Sequence, residues 1–415
     1  MSKRTCTRPL LTSLSLLLLF CALTFLNGCG GGTETTQTSN WSETWRKTTS
    51  LPQGIYSHAA ATDGKFIYVV GGIAGGTVQI INDSNSGNTG QNIDTVGNAG
   101  PLNTVYQAEI GKNNDLGAWS RSTIEIDTNS GPVTKQVMGH GALLYEGFLY
   151  AIGGILNPIP TDNSPPPTGT IFSTESFYAP IQTNGVPPGP WTKSPFDLPN
   201  PNGVAFYGYA VAADSVFVIG GYNDVDKTLP TVFRAPIQPD GTLGNWDESA
   251  PHLPIGLNKH EVVATSKALY VIGGMTADPG FSDFARKEVY FSTFDPNGIL
   301  SSWTPTSPLP HPLFFHAAAN IEDKAIVVIG GGDEADDNAD TTHVTNEVWV
   351  AEINFDGSLG PWLSAAPLPG PRFREAAVVT HSTLYVIGGE KAPDAGTNQT
   401  NRQPTVYVGE LNYTP

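Results

Sequence analysis

An apolar run that ends in Gly-Gly occurs six times in this 415-residue chain, and no other feature constrains the fold as strongly. The copies are FIYVVGG (66–72), FLYAIGG (148–154), VFVIGG (216–221), LYVIGG (269–274), IVVIGG (326–331) and LYVIGG (384–389). Their first glycines are separated by 82, 67, 53, 57 and 58 residues. Periods near fifty are typical of propellers and related arrays, so we expect one large repeat domain rather than several unrelated ones.

Each copy is followed by the same order of local signals. The apolar run itself, rich in Val, Ile and Tyr, fits a strand that is buried on both faces. A variable loop leads to a third strand such as TVFRAPI (231–237), and a tight turn such as Asp240-Gly241 then leads to a tryptophan. The tryptophans are Trp119, Trp191, Trp246, Trp303 and Trp362. Four antiparallel strands in each of six repeats predict an all-β, six-bladed β-propeller.

The sixth repeat lacks this tryptophan, because the chain ends at Pro415 before a fourth strand can form. The missing signal occurs near the amino terminus in WRKTTSLP (45–52). Trp45 precedes Leu51 by six residues, and Trp303 precedes Leu309 by the same distance. We therefore expect the N-terminal segment to pair with the C-terminal blade and close the ring, which removes an open sheet edge. The alternative is an unrelated tail that happens to contain a tryptophan.

The Gly-Gly runs, the aromatic residue of each third strand and the spaced tryptophans together resemble the kelch-repeat family of β-propellers. The resemblance covers roughly residues 45 to 415. It implies the propeller fold but leaves function open, since kelch propellers include both enzymes and binding scaffolds.

The first 28 residues are typical of an export signal. Lys3, Arg4 and Arg8 precede an apolar segment (10–26) that ends in LNGC (26–29), which resembles the bacterial lipobox. The resemblance implies acylation of Cys29 and cleavage before it, with residues 29–40 as a flexible tether to a propeller at 41–415. We expect an exported lipoprotein of the cell envelope, and Gly30 resembles the outer-membrane sorting class. An ordinary secretory signal and an uncleaved membrane helix are the alternatives.

The net charge of the chain restricts the kind of partner that it can bind. Without the three basic residues of the signal, 18 basic residues face 38 acidic ones. A chain this acidic repels nucleic acid, so we expect none as a partner.

The insertions are predicted to share one face of the propeller. From the second glycine to the aromatic residue of the third strand the distances are 34, 23, 12, 16, 18 and 18 residues, whereas the other connections within a repeat are nearly constant. Long loops on a rigid scaffold are where recognition usually lies. We call this side the loop face and the opposite side the turn face, and we expect the loop face to bind a glycan or protein.

The loop face also carries a repeated position at the start of each first strand. It is occupied by His58, His140, Tyr207, His260, His316 and Glu375, with Arg374 beside the last. These residues are candidates for a polar ligand site around the pore mouth. Alternatively, each histidine packs within its own blade as a structural residue, and a metal held by imidazoles is less favoured still.

An acidic segment, GGGDEADDNAD (330–340), contains the weak calcium candidates Asp333, Glu334, Asp336 and Asp337. Carboxylate oxygens suit Ca²⁺, but their spacing matches no EF-hand loop, so a solvated loop is favoured and no cofactor is expected.

Two classes of function remain open. The first is a binding module for a glycan or protein. The second is an enzyme that resembles the kelch-type sialic acid mutarotases, which would use polar groups at the pore mouth for acid–base opening of a sugar ring. A buried carboxylate touching Arg374 within a pocket at the pore would favour the enzyme, and a broad, shallow face would favour the binding module.

Overall fold

A computed structural model describes residues 41–42, 44–74, 100–156, 171–182, 186–248, 250–276, 284–333, 343–391, 401–410 and 412–413. Apart from one short 3₁₀ turn, Lys112–Asn114, every regular element in these ranges is a β-strand. Most of these strands belong to six antiparallel sheets, which are arranged as the blades of a propeller within one compact unit, Gln37–Pro415. The prediction of an all-β, six-bladed propeller is confirmed.

Each blade begins at the pore and runs outward through adjacent antiparallel strands. The first strands are Ala59–Thr62, Gly141–Tyr145, Gly208–Ala212, Glu261–Ala264, Ala317–Ile321 and Ala376–Thr380. The second strands are Phe66–Val70, Phe148–Ile152, Ser215–Ile219, Ala268–Ile272, Ala325–Ile329 and Thr383–Ile387. The third strands are Thr104–Glu109, Ser176–Pro180, Val232–Pro236, Val289–Thr293, Val348–Glu352 and Val406–Glu410.

The outermost strands are shorter. They are Ser120–Thr123, Thr192–Lys193, Thr304–Pro305, Leu363–Ser364 and, from the amino-terminal segment, Arg46–Lys47. In the third blade the fourth strand is reduced to a bridge between Arg234 and Asp247.

The hydrophobic core lies between neighbouring blades. The second strands are buried on both faces because each sheet is covered by a sheet on either side. One cluster, for example, combines Tyr150 and Ile152 of the second blade with Val216 and Val218 of the third. This packing explains why the six sequence copies read as continuous apolar runs rather than as alternating ones.

The amino-terminal segment occupies the outer edge of the sixth blade. Arg46 pairs with Val408 and Lys47 pairs with Tyr407, in antiparallel register. Trp45 makes the same kind of contact as Trp303 and Trp362. Its indole Nε1 donates to the carbonyl of Ala366 at 2.9 Å. Trp303 and Trp362 likewise donate to carbonyls of the preceding blade, those of Pro251 and Ser307.

The loop face carries small additional strand pairs. They are Ile55–Tyr56 with Ile73–Ala74 and Gly100–Pro101, Ile155–Leu156 with Ile171–Phe172, Tyr222–Asn223 with Lys227–Thr228, Met275–Thr276 with Phe284–Ala285, and Glu390–Lys391 with Asn401–Arg402. The hairpin Glu125–Thr128 with Gly131–Thr134 lies in the connection from the first blade to the second. A further pair, Trp41–Ser42 with Asn412–Tyr413, joins the two ends of the propeller unit. The connections after the second strands therefore build a layer of structure around the pore mouth.

Candidate functional site

The repeated position predicted at the start of each first strand forms a ring around the pore, and we call these six residues the inner ring. Its members are His58, His140, Tyr207, His260, His316 and Glu375. All six side chains are buried. They line one central cavity at the loop face.

The Gly-Gly pairs leave the space that the inner-ring side chains occupy. All twelve glycines have positive φ, between 53° and 105°. A Cβ atom on the first glycine of each pair would lie between 2.5 and 3.2 Å from the side chain of the next blade's inner-ring residue. A Cβ atom on the second glycine would lie between 2.6 and 2.9 Å from the Cβ atom of its own blade's inner-ring residue. Real Cβ atoms essentially never approach within 3.0 Å and rarely come within 3.4 Å, so both glycines of each pair are favoured by close packing as well as by positive φ.

Tyr207 shows what the inner ring does between blades. Its hydroxyl donates to the carbonyl of Ile152 and accepts a hydrogen bond from the N–H of Gly141 at 2.8 Å, both in the preceding blade. In the same way Nε2 of His260 accepts from the N–H of Gly208, at 3.2 Å. Tyr207 and His260 therefore join neighbouring blades through hydrogen bonds, and all six inner-ring side chains pack against the first glycine of the preceding blade's pair.

A second ring, which the sequence did not reveal, lies one residue earlier in each repeat, and we call it the rim. Its members are Ser57, Gly139, Phe206, Lys259, Phe315 and Arg374. Each rim N–H donates to the rim carbonyl of the preceding blade, at 2.8 to 3.1 Å, so that six hydrogen bonds close a circle. All six residues have φ between 49° and 57°. This left-handed conformation is unusual for a residue other than glycine and is found where surrounding structure enforces it.

The six repeats differ in their rim side chains, and four of them supply an aromatic or a cationic residue. The rings of Phe206 and Phe315 meet edge to face with centroids 5.5 Å apart. The Arg374 guanidinium lies 4.5 Å from the centroid of Phe315, and Nζ of Lys259 lies 5.2 Å from it. The mouth of the pore is thus covered by two phenyl rings, with two cations against one of them.

Below the rim, the cavity is lined mainly by small residues of the first strands, and it has a volume of about 700 Å³ that includes space open to solvent. The residue that follows the inner ring is Ala59, Gly141, Gly208, Glu261, Ala317 and Ala376 in the six blades. Glu261 is therefore the exception in an otherwise small set. Glu261 and Glu375 both line the cavity, together with Tyr209.

Comparisons with known proteins agree with this architecture. The chain is 27% identical over 177 residues to Kelch-like protein 38 of Mus musculus, which covers 43% of this chain and 27% of that protein. It is 29% identical over 156 residues to Kelch repeat and BTB domain-containing protein 12 of Danio rerio, across 36% of this chain and 24% of that protein. The solved structure of YjhT aligns with a TM-score of 0.57 at 17% identity and covers 86% of this chain and 95% of YjhT. No protein-family model matches.

This chain is a kelch-repeat β-propeller. Six blades with glycine pairs at the ends of their second strands, together with similarity to kelch-repeat proteins, support this assignment. The chain covers well under two thirds of the length of these curated relatives. The likeness to YjhT concerns the fold.

The four inner-ring histidines of this kelch propeller are held neutral by burial. Loss of solvent lowers the pKa of His58 and of His260 to about 4, and that of His140 and of His316 to about 3. Burial disfavours the charged imidazolium, which is why all four values move in the same direction. A neutral imidazole is suited to packing between two blades.

The pKa values of the two glutamates that line the cavity shift in the opposite direction, upward. Burial raises the pKa of Glu375 to about 8, although Arg372 opposes the shift. Burial also raises the pKa of Glu261 to about 8, and the charge of Glu375 adds to the effect. Two carboxyl groups that share a cavity resist ionising together. At neutral pH both are therefore mainly protonated and can donate as well as accept hydrogen bonds.

Arg374 meets a buried carboxyl group, but not in the way that the sequence hypothesis described. Its Nη1 lies 3.9 Å from Oε2 of Glu390, which is fully buried and does not line the cavity. Burial raises the pKa of Glu390, while Arg374 and Arg402 oppose the shift. The carboxyl groups in the cavity come from Glu261 and Glu375 instead.

The remaining predicted residues are only partly covered by the structure. Asp333 lies at the edge of a described segment, with its Oδ2 2.8 Å from Nδ1 of His343. Cys29, Glu334, Asp336 and Asp337 lie outside the described residues. Within the described ranges, no group of three or more His, Cys, Asp or Glu is placed to hold a metal ion. In those same ranges no helix is long and apolar enough to cross a membrane.

Proposed function

We propose that this kelch propeller is a binding module that takes a glycan or protein ligand at the loop face, with the central cavity as the specific part of the site. The observation that carries the proposal is the departure from sixfold repetition at the pore mouth. At the rim and at the two positions that follow it, some blades supply aromatic, cationic or carboxyl side chains. The equivalent positions of other blades hold small or neutral residues. Convergent polar groups in a concave pocket are the usual basis of recognition.

The side chains that line the cavity favour a glycan over a flat protein surface. The rings of Phe206 and Phe315 offer apolar faces to the C–H groups of a sugar. The protonated carboxyl groups of Glu261 and Glu375 can exchange hydrogen bonds with sugar hydroxyl groups.

We also propose that the protein is an exported lipoprotein anchored in the cell envelope through Cys29, in the outer membrane. The lipobox-like LNGC supports the anchor. Arg46–Lys47 runs antiparallel to the third strand of its blade, so the chain enters the propeller at the turn face. A tether at that face would leave the cavity directed away from the lipid. Cys29→Ala is expected to move the protein from the membrane fraction to the soluble fraction, and retention of this variant in the membrane would contradict the anchor.

A sugar mutarotase or epimerase is the second candidate, and the paired carboxyl groups favour it specifically. One carboxylic acid would protonate the ring oxygen while the other, as a carboxylate, removed the proton of the anomeric hydroxyl, so that the bond between C1 and the ring oxygen breaks. A pKa of about 8 suits an acid near neutral pH, and coupling between the two groups would keep one protonated while the other ionises.

A glycan array followed by NMR of the bound sugars separates the two functions. Binding without faster exchange between anomers supports the binding module. Exchange that is lost in both Glu261→Gln and Glu375→Gln supports the enzyme. Absence of any glycan on the array, together with capture of a protein ligand that survives both substitutions, would move the site from the cavity to the surrounding loops.

A further inference from the structure

The turns between third and fourth strands lie on the turn face, and one of them ends in an almost fully exposed phenyl ring. Phe355, at the tip of this turn in the fifth blade, is 96% exposed, and Ile299 in the corresponding turn of the fourth blade is 54% exposed. Two residues before the turn glycine, where the fifth blade has Phe355, the second, third and fourth blades have Thr183, Pro239 and Pro296. The exposed ring is thus a feature of the fifth blade and not of the repeat.

The turn that carries Phe355 is fixed by hydrogen bonds. The N–H of Asn354 donates to the carbonyl of Ser358 at 2.8 Å, and the N–H of Gly357 donates to the carbonyl of Asn354 at 3.0 Å. The hydroxyl of Tyr270, in the fourth blade, donates to the carbonyl of Gly357 at 2.8 Å. The turn therefore presents an apolar ring to water in one place, where covering it would be favourable.

The chain enters the propeller at the same face. Trp41–Ser42 pairs with Asn412–Tyr413, which follow the end of the last third strand. If Cys29 carries the proposed lipid, residues 29–40 span at most about 40 Å between the bilayer and this face. A short tether keeps the effective concentration of a second contact high, so that even a weak contact with the bilayer is populated.

We propose that the turn face docks on a phospholipid bilayer, with the ring of Phe355 inserted among the headgroups and Ile299 as a second apolar contact. Aromatic side chains are enriched at membrane interfaces. Nζ of Lys267 lies 5.2 Å from the centroid of the Phe355 ring, so it accompanies the ring to the level of the lipid phosphates. Because the chain is acidic, the surface that suits it is zwitterionic. This inference rests on the proposed lipid anchor and specifies which face meets the lipid.

Tryptophan fluorescence on vesicles tests the insertion. The purified full-length lipoprotein is bound to phosphatidylcholine vesicles with or without bromine on the acyl chains close to the headgroup, since bromine quenches only a tryptophan that it contacts. Phe355→Trp adds a reporter at the tip, and Val225→Trp is the matched control, because Val225 is 69% exposed in a hairpin of the loop face. After subtraction of the wild-type signal, bromine is expected to remove about half of the fluorescence added by Phe355→Trp and none of that added by Val225→Trp.

Flotation of the same samples on a density gradient separates this inference from the anchor. Protein that floats with the vesicles but is quenched equally at both positions would overturn the insertion and leave the anchor intact. Protein that does not float would overturn both. A dimer that requires Phe355, seen by sedimentation without quenching by lipid, would assign the tip to a second copy of the chain and overturn the docking.

Labelling with an amine-reactive reagent tests the native side chains. Lys267 is expected to react about fivefold more slowly in the wild type on vesicles than in soluble Cys29→Ala, because the bilayer covers it. Lys227, exposed on the loop face, should react equally in both. Phe355→Ser should remove most of the protection of Lys267, and thermal unfolding shows whether this variant folds. Full protection of Lys267 in a folded Phe355→Ser protein would contradict the proposal.

Discussion

The two rings at the pore mouth differ in what their residues share. Inner-ring residues have similar chemistry in most blades, since four are histidines and one is a tyrosine, and they pack against glycines of the neighbouring blade. Rim residues share a backbone conformation and a circle of hydrogen bonds, but their side chains range from none in Gly139 to a guanidinium in Arg374. The positions at which the residue type repeats are those that pack between blades. The positions at which it varies lie at the accessible cavity.

The largest effect is expected at a repeated position. Gly388 has a φ of 63°, and a Cβ atom there would lie 2.7 Å from the carbonyl oxygen of Ile55 and from Cε1 of His58. Gly388→Ala should lower the free energy of unfolding by about 4 kcal/mol, because the clash with backbone adds to the strain of positive φ. Urea denaturation followed by tryptophan fluorescence measures this loss.

Gly147→Ala is the control for backbone strain alone. Gly147 has a φ of 81°, and a Cβ atom there would meet nothing within 4 Å. The expected loss is about 1 kcal/mol. If both alanine variants lost the same amount, close packing of the inner ring would not be the reason for the Gly-Gly pairs.

A second test concerns the closing strand. Trp45 is half-buried, its indole donates to Ala366, and a Cβ atom at Gly409 would lie 2.9 Å from Cζ3 of its ring. Trp45→Ala should destabilise the protein by about 3 kcal/mol, similar to the loss expected for Trp303→Ala in a blade built from consecutive strands. A negligible effect of Trp45→Ala beside a large effect of Trp303→Ala would show that the amino-terminal strand does not hold the ring closed.

The smallest effect is expected at Glu261, where the fourth blade departs from the small residue that the other five blades have. The pKa of Glu261 rises from an ordinary value of 4.5 to about 8 on folding, so the folded state binds more protons across this interval. Stability from this group is therefore present at low pH and is lost as the pH rises through the interval. Solvent screening of this partly exposed side chain reduces the effect, and Glu261→Gln should be more stable than the wild type at pH 9 and close to it at pH 5.

Thermal unfolding at pH 5 and pH 9 checks this prediction, with Glu288→Gln as the control that should show no such difference. The buried histidines act in the opposite direction, because their pKa values fall from 6.5 to about 3 or 4 and their contribution is lost as the pH falls through that interval. A stability difference at pH 9 that favoured the wild type would show that Glu261 is ionised without cost in the folded protein.

The fold could be predicted from sequence because its determinants are residue types at fixed spacings. The Gly-Gly runs, the spaced tryptophans and the matching segment at Trp45 are each visible without coordinates. The rim could not be predicted in the same way. Gly139, Lys259 and Phe315 share no chemistry, and what unites them is positive φ enforced by hydrogen bonds between blades.

Glu261 could have been found by a different comparison of the repeats. Five blades have Ala or Gly after the inner-ring residue, and the fourth has a glutamate. The position that recurs in the repeats identifies the inner ring, which includes Glu375 but also the histidines that pack between blades. The next position, where five repeats have a small residue and one does not, identifies Glu261 directly. The elevated pKa of both carboxyl groups depends on burial within the assembled ring, which no single repeat encodes.

Entry of the chain along an outer strand also determines how the propeller bears mechanical load. A pull on the amino-terminal end, directed away from the turn face, acts parallel to Arg46–Lys47. The pairings with Tyr407 and Val408 and the indole bond of Trp45 are then sheared together instead of being peeled apart one at a time. A strand of only two residues can in this way resist tension that would unzip a hairpin of the same length.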